Sequence, residues 1–497
     1  MDGRAFTVFA FFACFFLFFA SGRLGSGDAY EQLRAAMVLV NTGELGARTP
    51  PGDAKTRSFP WLLATDGKYY EPHDIGNVVV MIPAAALGSL FSKAPLAEKI
   101  AYPSILTRVA VAMSMACLSA VGCYFMFRLL CLYNSSRIAF CLSLGFPMTT
   151  IFWVYSKVAF DVLGGCCFMA ASLYFSARIA RGQRELRNAF FASVALATAC
   201  SFRFSLVPFF APSLVLLIVL SRRRAMTCSI VASATFLAVM LPSFVYNYVR
   251  GGSPFLPANA SPIYANNALS TEVLRGAYGL LLGPNRGLFL YSPVLLLALG
   301  APWWWSKCPT DERRVFACFG LGSALYFTMI AMMTNWGQWG WGPRYLLPIL
   351  PFLYLVASRV GVRLWNFRRW RPLVLMLSIA SAALSAAPVL VNWHVATATS
   401  PGASAQDAAG PYQQLAVWRG LLMGIQGDAL PVLPEFADDP IRSAGSRFPD
   451  LWTARLMERS RVGWLAGLAI GCSLALGGAA LLRRILIPSL RIPEDTR

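Results

Sequence analysis

The residues of this chain that could do chemistry lie in short polar segments between long apolar ones. In the first polar segment, Asp28 and Glu31 are three residues apart, so they share one face of the helix expected from Asp28 to about Asn41. Asp28 is placed to cap that helix, and acids are favourable in a first turn whatever their function. A carboxylate at the end of an apolar span is also suited to act as a general base toward a hydroxyl group. From the sequence, both interpretations stay open.

The first polar segment ends immediately before an apolar stretch and reads Lys68-Tyr69-Tyr70-Glu71-Pro72-His73-Asp74 at that end. Tyrosines at such a place are typical of a membrane interface. An interfacial role explains the acids and the histidine less well. His73 and Asp74 are therefore candidates for a functional site.

Two charged groups adjoin a later apolar stretch. Lys157 and Asp161 are four residues apart, a spacing that predicts an ion pair on one helix face, although ionisable groups at membrane depth are also functional candidates. Arg203 stands alone inside a 33-residue apolar run. Its partner must come from elsewhere in the chain, where Asp161 or Asp28 is available, or from the phosphate of a bound molecule.

Two later polar segments combine arginine with glycine and aromatic residues. Arg286 stands at the start of an apolar stretch, where the glycines beside it allow a sharp turn. Further on, indole rings alternate with glycines, and this segment includes Trp339, Trp341, Arg344 and Tyr345. The alternation is typical of an aromatic belt at a membrane surface. It also suits a sugar site, in which flat rings stack on C–H faces beside an amide and a cation.

The elements that must position these residues are membrane helices. Of the 497 residues, 57% are hydrophobic and 13% are charged, against about 25% charged in soluble domains. This composition excludes a soluble enzyme, a disordered chain and a secreted disulfide scaffold, and it indicates a polytopic membrane protein. Thirteen apolar stretches follow one another, most of them near the roughly 20 residues that a helix needs to cross a bilayer. They are 5–22, 75–92, 104–130, 137–156, 158–177, 188–202, 204–220, 226–247, 287–305, 315–333, 345–358, 372–391 and 463–482.

The positive charges predict the orientation of these stretches. The net charge is +20, and the basic residues collect in short loops, as they do on the cytoplasmic side of membrane proteins, so nucleic acid is not expected as a partner. Placing six basic clusters and the N-terminus inside gives twelve crossings. Residues 188–220 then cross twice and are too short for two full crossings, so the turn at Arg203 is expected to be recessed. Residues 75–92 are left on the outer face or dipping into it; the alternative is that they span.

With this orientation the long polar segments 23–74, 248–286, 334–344 and 392–462 all face the outer side. We predict a transmembrane catalytic domain over 1–392 that includes the outer loop 23–74, an outer loop over 393–462 with a short helix near 411–424, and a last transmembrane helix with a tail over 463–497.

The twelve cysteines lie in or beside apolar segments and the two histidines are far apart, so neither disulfides nor a zinc site is expected. No nucleotide-binding motif is present.

Together these features resemble the GT-C superfamily of integral-membrane glycosyltransferases, in particular the bacterial branch akin to protein mannosyltransferases and aminoarabinose transferases. The resemblance covers about residues 1–390. It rests on Gly27-Asp28-Ala29-Tyr30 after the first span, Lys157-Val158-Ala159-Phe160-Asp161, Arg203, the segment from Asn285 to Pro293, and the segment from Trp339 to Tyr345. Many members carry two adjacent acids in the first loop, whereas here Ala29 follows Asp28, and Glu31 is the acid that could substitute.

The resemblance implies an all-α polytopic membrane fold with about 12–13 transmembrane helices, outer-face loops and interfacial helices. It implies an enzyme of the bacterial cytoplasmic membrane whose site faces the periplasm or exterior, with a sugar on polyprenyl phosphate as donor and a glycan, lipid or protein as acceptor. In an inverting displacement Asp28, or Glu31 with it, would take the acceptor's proton, while Arg203, Arg286 and Arg344 would stabilise the leaving phosphate. No metal or other cofactor is required, because a lipid phosphate is already a good leaving group. The residues predicted to hold the sugar or the acceptor are His73, Asp74, Lys157, Asp161, Trp339, Trp341 and Tyr345.

Two other functions remain open. A transporter or flippase of lipid-linked sugars would also cross the membrane many times, but it predicts two halves related by a repeat and interrupted helices, and neither is clear in the sequence. A non-catalytic scaffold predicts that the outer polar groups scatter, with Asp28 and Arg286 on opposite sides.

Overall fold

The computed structural model of the protein describes residues 3–51, 61–101, 103–221, 224–255, 269–334, 336–337, 340–398, 412–426, 448–457 and 461–486. Within these residues the regular structure is helical, apart from one antiparallel hairpin that pairs Leu62–Leu63 with Tyr69–Tyr70. Trp339 lies outside the described residues, as does much of the predicted outer loop 393–462.

The helices run in chain order as α1 Gly3–Phe19, α2 Gly27–Thr42, α3 Ile75–Phe91, α4 Leu96–Ala101, α5 Ile105–Leu130, α6 Ser136–Met148, α7 Phe152–Tyr155, α8 Asp161–Ala180, α9 Glu185–Phe202, α10 Phe210–Leu220, α11 Ala225–Gly251, α12 Val273–Leu281, α13 Leu288–Tyr291, α14 Ala301–Trp305, α15 Thr310–Met332, α16 Leu350–Trp365, α17 Arg371–Leu390, α18 Trp393–Ala398, α19 Gln413–Gln426, α20 Trp452–Met457 and α21 Arg461–Leu486. Four 3₁₀ segments lead directly into α10, α14, α16 and α17. They are Phe204–Phe209, Pro293–Gly300, Arg344–Ile349 and Arg368–Trp370.

The chain is an all-α integral membrane protein, which confirms the predicted fold class. Seven of the described helical segments are long and apolar enough to cross a bilayer: α5, α8, α11, α15, α21, Arg344–Trp365 and Arg368–Leu390. Five shorter apolar helical segments, together with α9, account for the other predicted stretches. The helix α8 lies at the centre, where it packs against α5, α9, α15 and α16.

The start of α2 differs from the prediction, because Ser26 and not Asp28 is the N-cap. The backbone of Ser26 is extended, and its Oγ accepts the backbone N–H of Ala29 at 3.1 Å. The helix ends at Gly43, whose φ of +72° is a left-handed conformation that glycine adopts without strain. Since the serine satisfies the first turn, the Asp28 carboxyl group is left for other partners.

The spacing of Lys157 and Asp161 also predicted a contact that is not made. Because α8 begins only at Asp161, the two residues do not share a helix face. Instead Lys157 Nζ donates to Asp450 Oδ2 at 3.2 Å, and Asp161 pairs with Arg203. Asp450 also pairs with Arg23, just beyond α1. The segment before α20 is thereby held against the end of α1 and the turn before α8.

Both ends of α3 lie beside the ends of other helices that the predicted orientation places outside. Near its start, Gly76 packs closely against the backbone of Phe202, where α9 ends. Near its finish, Gly88 packs against Thr107, at the start of α5. This arrangement favours the prediction that residues 75–92 do not cross the membrane, which stays a prediction.

Candidate active site at the loop ends of the helices

Three elements that are distant in sequence meet at Asp28. Asp28 lies in the first turn of α2, His73 in the loop before α3, and Arg344 at the start of the segment that becomes α16. The distances from Asp28 Oδ2 are 3.8 Å to His73 Nε2 and 3.5 Å to Arg344 Nη1. Both exceed ordinary hydrogen-bond lengths, and 14% of the Asp28 side chain is exposed. This carboxyl group is therefore flanked by two nitrogen-bearing groups and accessible to a ligand.

His73 lies between two carboxyl groups. Its Nδ1 contacts Glu71 Oε1, and its Nε2 faces Asp28. Burial by itself lowers the pKa of the imidazole, but Glu71 and Asp28 outweigh burial and raise the pKa of His73 to about 10. The Glu71 side chain is fully buried, and in the described part of the chain its Oε2 has no hydrogen-bond partner. His73 is therefore a cation beside Asp28 at neutral pH.

Arg250, in the last turn of α11, holds the loop that carries His73. Its Nη1 donates to the carbonyl oxygen of Glu71 at 3.0 Å and to that of His73. Its Nη2 lies 3.8 Å from Asp74 Oδ1, while Asp74 Oδ2 accepts the backbone N–H of Phe204 at 2.9 Å. Burial raises the pKa of Asp74 to about 6 in spite of Arg250. Asp74 thus connects the His73 loop through Oδ2 to the turn between α9 and α10, while its Oδ1 faces Arg250 at the end of α11.

The Tyr345 ring contacts two arginines. The guanidinium carbon of Arg344 lies 4.9 Å from the ring centre, and that of Arg203 lies 4.3 Å from it. Arg344 Nη2 also donates to the Tyr345 hydroxyl at 3.2 Å. Arg203 Nη1 donates to Asp161 Oδ2 at 3.0 Å, and both of these side chains are largely buried. Of the partners that the sequence left open for Arg203, Asp161 is the one that forms an ion pair with it.

Arg286 supports the loop that leads to Arg344. It is buried, and it donates from Nε to the Gly337 carbonyl at 3.1 Å and from Nη1 to the Gly340 carbonyl at 2.5 Å. Gly340 lies so close to Arg344 that a Cβ on it would be 2.8 Å from Arg344 Cδ. Arg286 and Asp28 are therefore linked through Arg344, which is not the scattered arrangement that a scaffold predicts.

Two residues predicted to bind the sugar or acceptor are buried and contact other residues of the protein instead. Trp341 is buried, its backbone N–H and carbonyl oxygen both bond the Tyr155 hydroxyl, and its ring packs edge-on against Tyr291. Lys157 is buried with Asp450, as described above. We interpret both as positioning residues.

Glu31 also makes contacts that differ from those expected of a catalytic acid. It is fully buried, with Oε1 accepting from Arg34 Nη1 and Oε2 accepting from Trp61 Nε1, each at 2.8 Å. Asp28 and Glu31 are only three residues apart, but their side chains therefore contact different groups. Of the two acids, Asp28 is the one accessible to a ligand.

Three residues of the site were not assigned from the sequence. Glu71 is two residues before His73 in the sequence, but no pattern predicts that the two side chains of an irregular loop turn toward each other. Arg250 is 177 residues from His73, and Asp450 is 293 residues from Lys157, so no local signal links them. The described residues contain no group of three or more His, Cys, Asp and Glu side chains that could hold a metal ion.

Comparison with solved structures identifies the architecture. The crystal structure of ArnT from Cupriavidus metallidurans bound to undecaprenyl phosphate matches 97% of this chain and 77% of its own, with a TM-score of 0.50 and 15% sequence identity. The chain has a GT-C-like fold. The apo crystal structure of the same ArnT gives a TM-score of 0.49 at 14% identity, over 95% of this chain and 75% of its own. No protein-family model and no curated protein sequence matches this chain. The GT-C resemblance seen in the motifs is thus confirmed for the fold.

Proposed function

We propose that the protein is a membrane glycosyltransferase that moves a sugar from a polyprenyl-phosphate donor to an acceptor on the outer side of the membrane, with inversion. The observation that carries the proposal is the accessible Asp28 carboxyl group with the Arg344 guanidinium 3.5 Å away. Transfer from a lipid phosphate needs such a pair, a base for the attacking hydroxyl and a cation for the leaving phosphate. The likeness to ArnT, which was crystallised with undecaprenyl phosphate, supports this class of donor.

Asp28 is the general base in this proposal. The acceptor oxygen attacks the anomeric carbon, its proton passes to Asp28, and the bond between the anomeric carbon and the phosphate oxygen breaks. The contacts of Asp28 with His73 and Arg344 both involve Oδ2. We therefore assign Oδ1 to the acceptor hydroxyl. The acceptor itself, a glycan, a lipid or a protein, is left to experiment.

Arg344 is the residue that we propose to bind the donor phosphate. The bond that breaks leaves its electron pair on the phosphate, and a nearby guanidinium stabilises that charge. Arg203 adds positive charge beside the Tyr345 ring, although it already pairs with Asp161. Arg286 contributes by holding the backbone that presents Arg344. His73, which lies 3.8 Å from Asp28, and Tyr345, whose hydroxyl accepts from Arg344, are candidates for contacts with the sugar.

The site is proposed to face the periplasm or exterior of a bacterial cytoplasmic membrane. This placement rests on the basic residues of the short loops, which predict the cytoplasmic side, and on the position of Asp28 at the opposite ends of the helices.

A transfer assay with purified protein tests the proposal. The protein is incubated with a panel of polyprenyl-phosphate sugars and bacterial envelope extracts, and release of polyprenyl phosphate is followed by mass spectrometry. We expect release with at least one donor, and loss of release in Asp28→Asn and in Arg344→Gln. Arg275→Gln and Asp311→Asn are matched controls, because both residues lie in exposed i,i+3 ion pairs.

The alternatives give different results. A flippase would move a lipid-linked sugar across proteoliposome membranes without releasing the carrier. Transport without transfer, or full activity in both Asp28→Asn and Arg344→Gln, would contradict the proposal.

A further inference from the structure

Among the residues that the structure describes, three tyrosine rings each contact two arginine side chains. At Tyr345 the ring-to-guanidinium distances are 4.3 and 4.9 Å, at Tyr133 they are 5.0 and 4.8 Å, and at Tyr174 they are 5.5 and 5.6 Å. Two like charges held around one ring repel each other, so a nearby anion stabilises such an arrangement. The three sites differ in whether the protein supplies that anion.

The first two sites have their own carboxylates. At Tyr345, Arg203 pairs with Asp161 and Arg344 faces Asp28. At Tyr133, the arginines Arg181 and Arg359 share Glu312, at 3.5 and 3.6 Å. These two sites show that this chain places an acid where two arginines meet at a tyrosine.

The third site is formed by Arg128, Arg178 and Tyr174, and the described residues place no such acid there. Arg128 donates to the hydroxyls of Tyr124 and Tyr174, at 2.9 and 3.1 Å. Arg178 donates to the Tyr174 hydroxyl at 3.3 Å and to Gln183 Oε1 at 2.9 Å. No carboxylate of the described residues lies within ion-pair distance of either arginine.

The Tyr174 hydroxyl adds a further hydrogen-bond donor to this site. Its oxygen already accepts from both arginines, so its own hydrogen must be donated elsewhere. The same holds for Tyr124, whose oxygen accepts from Arg128. Across the parts of the chain that the structure covers, neither phenol donates to an acceptor. Two guanidinium groups and two hydroxyls thus form a cluster of donors, which is the surrounding that a phosphate group binds.

The position of the cluster indicates where the phosphate comes from. Arg128 lies in the last turn of α5 and Arg178 in the last turn of α8, two helices that are apolar and long enough to cross a bilayer. Such helix ends lie at the level of the lipid headgroups. Beside the cluster, Phe175 packs on Phe125 and on Phe191, which is 41% exposed and offers an apolar surface for an acyl chain.

We propose that Arg128, Arg178 and the hydroxyls of Tyr124 and Tyr174 bind the phosphate of an anionic phospholipid headgroup. The lipid supplies the anion at Tyr174. At Tyr345 that anion is supplied by Asp161 and Asp28, and at Tyr133 it is supplied by Glu312. The acyl chain lies along Phe175 and Phe191. This site is separate from the candidate active site, and it does not depend on the proposed function.

Thermal melting of the full-length protein in a non-ionic detergent tests the site. Phosphatidylglycerol is titrated into the micelles, with phosphatidylcholine as the zwitterionic comparison. We expect phosphatidylglycerol to raise the melting temperature of the wild type more than phosphatidylcholine does. In the double variant Arg128→Gln, Arg178→Gln, the apparent affinity for phosphatidylglycerol should fall about tenfold or more, because charge-assisted hydrogen bonds are lost.

The control is a double variant with the same change of charge, Arg137→Gln with Arg187→Gln, at two exposed positions among the same basic loops. It should keep the phosphatidylglycerol shift. Tyr174→Phe leaves both arginines in place and should weaken the shift without loss of folding, so the proposal stays testable if the double arginine variant does not fold.

Four results would overturn the proposal. The first is an equal shift with both lipids in the wild type. The second is an equal loss in the control double variant, which would mean a general effect of charge. The third is an undiminished shift in Tyr174→Phe and in the double arginine variant. Inorganic phosphate is added in a parallel titration, and a shift equal to that of phosphatidylglycerol would assign the site to a free anion and contradict the lipid.

Discussion

Replacing Arg203 by alanine would remove one partner of the ion pair between the turn after α9 and the start of α8. The Arg203 and Asp161 side chains are 13% and 8% exposed, and their closest atoms are 3.0 Å apart. If the pair stabilises the fold, its removal lowers the free energy of unfolding. If Arg203 serves only to bind a phosphate, the ligand-free Arg203→Ala variant is nearly as stable as the ligand-free wild type.

The size of the effect follows from the surroundings of the pair. Removing one partner of a buried ion pair costs about 3–5 kcal/mol, because the remaining charge is poorly solvated. Loss of the contact with the Tyr345 ring adds ~0.5–2 kcal/mol. The backbone N–H of Val162, 2.8 Å from Asp161 Oδ1, still stabilises the remaining carboxylate and reduces the loss. We therefore expect Arg203→Ala to lower the free energy of unfolding by ~3 kcal/mol.

A double-mutant cycle in mixed micelles measures this quantity. Unfolding by SDS is followed by circular dichroism for the wild type, Arg203→Ala, Asp161→Asn and the double variant. The double variant has no unpaired charge, so the two losses should fail to add by at least ~1 kcal/mol. Arg275→Ala, in an exposed ion pair, should cost less than ~0.5 kcal/mol. A loss of that small size in Arg203→Ala, or full additivity in the cycle, would refute the structural role of the pair.

Three further predictions concern the neighbouring charges. Asp28→Asn should keep the fold, since Ser26 caps α2, and should lower turnover about 10²-fold in the transfer assay. Since the pKa of His73 is raised from 6.5 to about 10 in the folded protein, its contribution to stability is fully present below pH 6.5 and is lost as the pH rises through 10. The melting temperature of the wild type should therefore fall more steeply over this interval than that of His73→Gln. Asp450→Asn removes the carboxylate that Lys157 pairs with in the interior and should cost ~2–4 kcal/mol of unfolding free energy, measured by SDS titration.

Each of these predictions has a result that contradicts it. Near-normal turnover in Asp28→Asn would remove the base assignment. Parallel pH profiles for the wild type and His73→Gln would show that the histidine does not titrate as argued. A loss in Asp450→Asn no larger than that in Asp311→Asn, whose ion pair is exposed, would mean that the contact with Lys157 adds nothing.

The membrane helices of this protein are determined by local sequence. Each of the thirteen apolar stretches corresponds to helical structure, from α1 to α21. The helix predicted from Asp28 to about Asn41 is α2, Gly27–Thr42, and the one predicted near 411–424 is α19, Gln413–Gln426. Such elements are predictable because a run of about 20 apolar residues satisfies its backbone hydrogen bonds within itself and finds its environment in the bilayer.

The choice of partners for the charged residues was decided by the tertiary structure. Spacing suggested that Lys157 and Asp161 meet, but an irregular turn before α8 separates them, and each pairs with a residue from a distant segment. Sequence could name Asp161 as one possible partner of Arg203, but it could not choose it over Asp28 or a phosphate.

The tertiary structure also decided the contacts of the aromatic residues and of the acids of the first loop. Trp341 stands in a segment that suits a sugar site, yet it is buried against Tyr291, while Tyr345 from that segment contacts two arginines. Asp28 is accessible and Glu31 is not, although one helical turn carries both. Burial and ion pairing depend on which helices pack together, and that packing joins residues hundreds of positions apart. Local sequence determines that a charged side chain stands at the end of a helix, and only the packed structure determines what it meets there.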